Sequence, residues 1–228
     1  MMITREKEKL NKQSMSRKGK AKRRKAIRLR NKKMIARYPW IRPVGWHFES
    51  LKTYDFTMYD DVPKGWKKAF GKIMLEEYRD VLIRHGYLDK FQWVQVKEKN
   101  GTLRLYSNAA PKEVLELERK YDYISGFFCI SCGRINSPVL TSGWVEPLCE
   151  GCYYKRIASQ RRWYEKNCKD KVFTYTSYDE LKKENQEIRM IAKYRCYSPV
   201  QGSYEKEYDY SDTINKIIDR QKVLFKGM

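Results

Sequence analysis

Four cysteines in the middle of the chain constrain its fold more than any other feature. They form two Cys-x-x-Cys pairs, Cys129 with Cys132 and Cys149 with Cys152, and sixteen residues separate the pairs. This spacing is typical of a structural zinc site, in which each pair forms a tight turn and two turns complete a tetrahedron of thiolates. Gly133 supplies the backbone freedom that the first turn needs. The sequence therefore predicts a zinc ribbon, with Zn²⁺ as its cofactor.

Two disulfides and a four-thiolate iron site are the alternatives for the same spacing. A catalytic zinc is disfavoured, because four thiolates close the coordination shell and leave no position for water. Metal spacing in four of the six cysteines indicates a reducing compartment, so we expect a cytoplasmic protein. The other two cysteines, Cys168 and Cys196, are expected to be free thiols, with a pairing between them as the alternative.

The charge of the chain points to a polyanionic partner. The formal net charge is +21, and residues 1–37 contribute +14 of it through sixteen Lys or Arg and two Glu. Such a balance favours nucleic acid, either DNA or RNA, as the partner. No stretch of about 18 apolar residues is present, so no membrane contact is predicted.

Residues 1–37 are predicted to form a basic arm that is disordered or a fraying helix when alone, because like charges repel and few apolar residues are available for burial. Contact with a polyanion would induce a helix. The functional interpretation is phosphate binding, and the alternative is a solubilising or localising tail. The candidate phosphate contacts in the arm are Lys18, Lys20, Lys22, Arg23, Arg24, Lys25, Arg28 and Arg30.

Hydrophobic periodicity and turn signals predict an α+β fold. Its body, residues 38–126, is a helix, a β-hairpin and a second helix. The ribbon (127–153) is inserted before a helical C-terminal region (154–228). Helices are expected at about 65–85, 111–123, 152–167, 177–194 and 212–225, with a loop at 197–210.

The hairpin turns at Asn100-Gly101, the dipeptide preferred in type I′ turns. A two-residue loop sets Lys97 opposite Arg104, and like charges so placed are destabilising unless an anion lies nearby. The same face is predicted to expose Trp93 and Tyr106, which suits stacking on unpaired bases. The alternative is that another segment, such as 197–210, covers this face. A second basic surface is expected on the helix after the ribbon, with Arg156, Arg161 and Arg162 as its candidate contacts.

Few enzyme classes fit the sequence, so we expect no catalytic activity. Only His47 and His85 are available for histidine chemistry, and neither a phosphate-binding loop nor a dinucleotide fingerprint occurs. A nuclease built on carboxylates such as Asp55, Asp60 and Asp61 stays open as an alternative. The favoured function is binding of nucleic acid by a zinc-ribbon protein.

Three stretches occur in an order that resembles a known group of proteins. They are the segment Gly65–Gly71, the segment Lys97–Arg104, and the four cysteines with Gly143-Trp144 between them. The order resembles uncharacterised zinc-ribbon proteins encoded by bacteriophages and their bacterial hosts, over about residues 38–153. The resemblance implies a phage or mobile-element origin and no mechanism. A second hypothesis is a phage-type protein-binding factor that inhibits or modulates a host protein or ribonucleoprotein complex that handles nucleic acids, as an anti-defence protein would.

Overall fold

The fold combines helices with two small antiparallel sheets, as the α+β prediction requires. A computed structural model describes residues 17–45, 47, 49–108, 110–135, 145–168, 171–183, 196–198, 202–204 and 210–225. Its helices and strands are α1 (Arg17–Arg37), α2 (Lys64–Trp66), a π-helical turn (Lys67–Gly71), α3 (Lys72–Arg84), β1 (Trp93–Lys99), β2 (Thr102–Ser107), α4 (Lys112–Ser125), α5 (Glu150–Asn167), β3 (Cys196–Ser198), β4 (Gly202–Tyr204) and α6 (Ser211–Phe225), with 3₁₀ turns at Pro39–Ile41 and Met58–Asp61.

The central helix of the body follows its predicted course. It runs without a break from α2 through the π-helical turn into α3, and Gly86 takes a φ of +64° just after its end. Phe70, Met74 and Leu82 are fully buried at spacings close to the helical repeat. This apolar face therefore forms the centre of the core.

The β1–β2 hairpin has the predicted register, with Lys97 opposite Arg104, and positive φ values at both turn residues. The Glu98 carboxylate accepts a hydrogen bond of 2.7 Å from the Gly101 N–H, which satisfies a donor inside the turn. The prediction that Trp93 is exposed is wrong. A β-bulge between Trp93 and Gln95 adds one residue to β1, turning the indole into the core, where none of it is exposed.

Helix α4 lies against β2 and completes this part of the core. The Leu103 N–H donates to the Ser125 hydroxyl over 2.8 Å, and the Tyr121 ring stacks on Phe70 with centroids 5.5 Å apart. Ile35 from α1 and Ile217 from α6 are buried in the same cluster. The core therefore draws on side chains from nearly the whole length of the chain.

Residues 17–37 are more ordered than the predicted arm, which was expected to be disordered or a fraying helix. They form helix α1, and the half nearest the body is held by specific contacts. Asn31 is fully buried and donates to the Tyr54 carbonyl over 2.9 Å, while Ile35 enters the core. Carboxylates on the body also pair with cations of the helix, in the pairs Arg28–Asp55, Arg30–Asp60 and Arg37–Glu76. Residues 1–16 of the predicted arm lie outside the described residues.

The described parts of the C-terminal region contain helices and one short pair of strands that was not predicted. A capping box opens the helix expected at 177–194, since the Ser177 N–H and hydroxyl both donate to the Glu180 carboxylate. Residues 178–183 are helical, and the rest of that predicted helix lies outside the described residues. Strands β3 and β4 form a hairpin within the segment predicted as a loop. In the part of the chain described here, no helix has both the length and the apolar character needed to cross a membrane.

Candidate metal centre and basic surfaces

The four cysteine sulfur atoms converge on one point. All lie within 4.8 Å of one another, and the Sγ atoms of Cys132 and Cys149 are 3.6 Å apart. Metal–sulfur bonds of about 2.3 Å in a tetrahedron place sulfur atoms about 3.8 Å apart. A disulfide would need about 2.05 Å, and all four residues are free thiols. The cysteines are therefore positioned to bind a metal ion, and the disulfide alternative does not describe the structure.

The first pair sits on a tight turn that leaves both thiols on one side. The Gly133 N–H donates to the Cys129 carbonyl over 2.8 Å, and the Cys129 N–H donates to the Arg134 carbonyl over 2.9 Å. Gly133 has a φ of +80°, a conformation that other residues rarely adopt. The sequence signal for this turn is confirmed.

The second pair is placed by the start of α5. Cys149 is the residue that caps this helix, and Cys152 lies in its first turn. A hydrogen bond of 2.8 Å from the Ile130 N–H to the Pro147 carbonyl links the two turns. Because the positive end of the helix dipole favours negative charge, thiolates are stabilised at this position.

The metal-binding turns are docked on the body by backbone contacts that sequence reasoning missed. The Gly65 N–H donates to the Ile130 carbonyl over 2.8 Å, and the Trp66 indole donates to the Phe128 carbonyl over 2.9 Å. A Cβ atom on Gly65 would lie 2.2 Å from the Cys129 carbonyl oxygen. Gly65 and Trp66 therefore bind the backbone of the first metal-binding turn. The sequence analysis noted the segment that contains them only for its resemblance to other proteins.

Apolar side chains cover the cysteines from the other direction and influence their ionisation. Leu148, Tyr178 and Leu181 are buried in a cluster with Cys129 and Cys149. Burial raises the pKa of the Cys149 thiol. Burial also opposes ionisation of Cys129, but backbone N–H groups around it outweigh this effect and hold its pKa below the ordinary value. A cation at the centre would stabilise all four thiolates together, which is the state that metal binding requires.

Most of the cations predicted on α1 are exposed. The side chains of residues 20–26 are all exposed to solvent, and Lys18 lies in the same helix. Arg28 and Arg30 are instead paired with Asp55 and Asp60, at 2.6 and 2.8 Å. Two of the carboxylates considered for a nuclease therefore anchor α1.

The hairpin face presents fewer cations and aromatic rings for nucleic-acid binding than predicted. Arg104 pairs with Asp122 of α4, which neutralises the charge opposite Lys97. The Lys97 ammonium lies 5.0 Å from the centre of the Tyr106 ring, a cation–π contact within the hairpin. With Trp93 buried, this face lacks the pair of aromatic rings proposed for base stacking.

Helix α5 brings its predicted cations to the surface beside the metal centre. Arg156 pairs with Glu146, Arg161 lies 5.9 Å from the centre of the Tyr175 ring, and Arg162 is exposed. This helix also carries exposed aromatic side chains that the sequence analysis did not select.

Comparison with protein-family models, with curated protein sequences and with solved structures found no match.

Proposed function

We propose that the protein is a non-enzymatic nucleic-acid-binding protein that contacts phosphates through helix α1 and contains one structural zinc ion. The observation that carries the proposal is the exposed run of cations on a helix fixed to the folded body. Twelve of the 21 residues of α1 are Lys or Arg and none is acidic. In the half nearest the body, carboxylates pair with Arg28, Arg30 and Arg37, whereas the described side chains of residues 20–26 form no ion pair and are exposed.

Like charges repel one another in the exposed half of α1, residues 20–26. Lys20 precedes Arg23 by three residues and Arg24 by four, so its charge lies next to theirs on the helix surface. Each such like-charge pair destabilises a helix by roughly 0.2–0.5 kcal/mol. A row of phosphates would remove this repulsion and gain favourable contacts with every cation. Because Lys and Arg contact phosphates without reading bases, the binding is not specific for sequence.

The zinc assignment follows from the donor set. Four sulfur atoms within 4.8 Å of one another suit a tetrahedral zinc ion, and four thiolates would close its coordination shell. With no position left for a water molecule, the metal is structural rather than catalytic. Iron with the same four ligands is the competing assignment, and elemental analysis of the purified protein together with its visible absorption spectrum separates the two.

The test compares two variants of equal charge. In one, five exposed cations of α1 are changed to Gln, namely Lys20, Lys22, Arg23, Arg24 and Lys25. In the control, five exposed lysines outside α1 are changed to Gln, namely Lys52, Lys64, Lys72, Lys99 and Lys112. Each variant lowers the net charge from +21 to 21 − 5 = +16. Binding to random-sequence DNA and RNA is measured over a series of salt concentrations.

The α1 variant is expected to flatten the slope of log affinity against log salt by about 3 to 5, since each phosphate contact contributes about 0.9. The control variant is expected to retain most of the slope. Equal losses in the two variants would show that total charge matters and α1 does not. Absence of binding by the unmodified protein would refute the function and leave the host-protein hypothesis to be tested.

A further inference from the structure

Helix α5 and the extended segment 172–177 enclose a groove beside the metal centre. The segment returns along the helix, with the Tyr164 and Phe173 rings 5.5 Å apart, and the Tyr153 hydroxyl donates to the Thr176 carbonyl. The groove has a volume of about 580 Å³. This volume lies within the usual range for pockets that bind small organic groups.

The groove is lined by aromatic rings that remain open to solvent. Trp163 is 62 % exposed and Tyr175 is 45 % exposed, and both line the groove. The Phe173 ring stacks on Tyr175 with centroids 6.2 Å apart, so the two rings form one wall. Aromatic rings grouped at a surface groove offer flat faces on which a ligand ring can stack.

The surroundings of the groove are positively charged. Residues 153–167 carry five cations, Lys155, Arg156, Arg161, Arg162 and Lys166, against one carboxylate, Glu165. Glu146 offsets Arg156, and the Arg161 guanidinium lies over the Tyr175 ring. The ligand that fits is therefore anionic along its length and also presents flat aromatic faces.

We propose that this groove binds an unpaired base of single-stranded nucleic acid, stacked on the Trp163 ring. The inference rests on the proposed function and adds the strand state of the ligand. In a duplex the faces of the bases are hidden by stacking, so only an unpaired base presents a ring face to Trp163. The Gln160 amide lines the same groove and can hydrogen-bond the edge of such a base.

The test uses the full-length, metal-loaded protein and three ligands with the same number of phosphates. These are an oligothymidylate, an abasic oligomer of equal length, and a duplex. Trp163→Ala removes the ring, Trp163→Phe restores an aromatic face, and Tyr154→Ala is the matched control. Tyr154 is 40 % exposed on the same helix and does not line the groove. Thermal melting of each variant verifies that it is folded.

The unmodified protein is expected to bind oligothymidylate about 5- to 100-fold more tightly than the abasic oligomer, the range that stacking of one base provides. Trp163→Ala should remove most of this preference and leave duplex affinity unchanged, whereas Trp163→Phe and Tyr154→Ala should keep the preference. Equal binding of the two single-stranded ligands by the unmodified protein would overturn the inference while phosphate binding stands. A preference that survives Trp163→Ala would also overturn it. Failure to bind any of the three ligands would refute the proposed function itself.

Discussion

Replacing Gly65 with Ala tests the docking of the metal-binding turns on the body. A Cβ atom at this position would lie 2.2 Å from the Cys129 carbonyl oxygen and 2.5 Å from the Ile130 carbonyl oxygen. Both obstacles are backbone atoms, so no change of side-chain rotamer relieves the clash. The turn that carries Cys129 and Cys132 would have to move away from the helix.

The size of the effect follows from three contributions. Overpacking in a buried site costs about 1–3 kcal/mol. Moving the turn weakens the 2.8 Å hydrogen bond from the Gly65 N–H to the Ile130 carbonyl, and an unsatisfied buried group costs about 1–3 kcal/mol. The higher helix propensity of Ala stabilises the folded state by up to about 1 kcal/mol and partly offsets these losses. We expect a net destabilisation of about 2–4 kcal/mol.

Gly151→Ala provides the matched control, because this glycine also adjoins the cysteines but has no atom within 4 Å of its would-be Cβ. The assay is thermal melting of the metal-loaded proteins, together with competition for the metal by a chelator. Gly65→Ala should lower the melting temperature by about 5–15 °C, by the usual relation for domains of this size. Gly151→Ala should leave it unchanged or slightly higher. A Gly65→Ala protein that melts at or above the unmodified protein would refute the close contact.

Three further predictions concern the metal and two half-buried carboxylates. Cys152→Ser should abolish stoichiometric metal binding and lower the melting temperature, as elemental analysis and calorimetry would show. Burial raises the pKa of the Glu118 carboxyl to about 7, so the folded protein loses stability as pH rises from about 4.5 to 7. Glu118→Gln should therefore raise the free energy of unfolding by about 3 kcal/mol at pH 8 and by little at pH 4, as measured by urea unfolding. Arg104→Ala should cost about 1–3 kcal/mol because it leaves Asp122 without its cation, whereas Lys97→Ala should change stability by less than about 0.5 kcal/mol.

Local signals in the sequence were sufficient to predict the hairpin turn and its register, but not the burial of Trp93. The turn and pairing depend on Asn100-Gly101 and on alternation, which are properties of adjacent residues. The bulge at Val94 depends instead on the space available in the core for an indole. That space is shaped by Tyr78 of α3, whose ring meets Trp93 edge-to-face at 5.3 Å.

Helix α1 shows the same division between local and distant information. Composition correctly identified the concentration of charge, but it predicted disorder because few apolar residues are present. The contacts that fix the helix come from Asp55, Asp60 and Glu76, which are distant in sequence and supply opposite charge. Asn31 adds a buried hydrogen bond that no hydrophobic pattern reveals.

The four metal ligands were predictable because their spacing is a local property of two turns. The position of the metal centre on the body was not predictable, since it depends on close contact between Gly65 and Gly133. Only glycines allow this contact, because a Cβ on Gly133 would lie 2.4 Å from the Gly65 carbonyl oxygen. A glycine inside a helix carries no signal that identifies its distant neighbour.

The two proposed binding surfaces depend on the metal to different extents. Cys149 and Cys152 fix the start of α5, and the groove with Trp163 lies along that helix. Helix α1 is held instead by Asn31, Ile35 and body carboxylates, and Ile35 belongs to a different buried cluster from Cys129 and Cys149. Removing the metal with a chelator should therefore abolish the preference for oligothymidylate over the abasic oligomer, while salt-dependent binding to duplex persists. Loss of both activities at the same chelator concentration would show that α1 and α5 are coupled through the core, and would contradict the independence argued here.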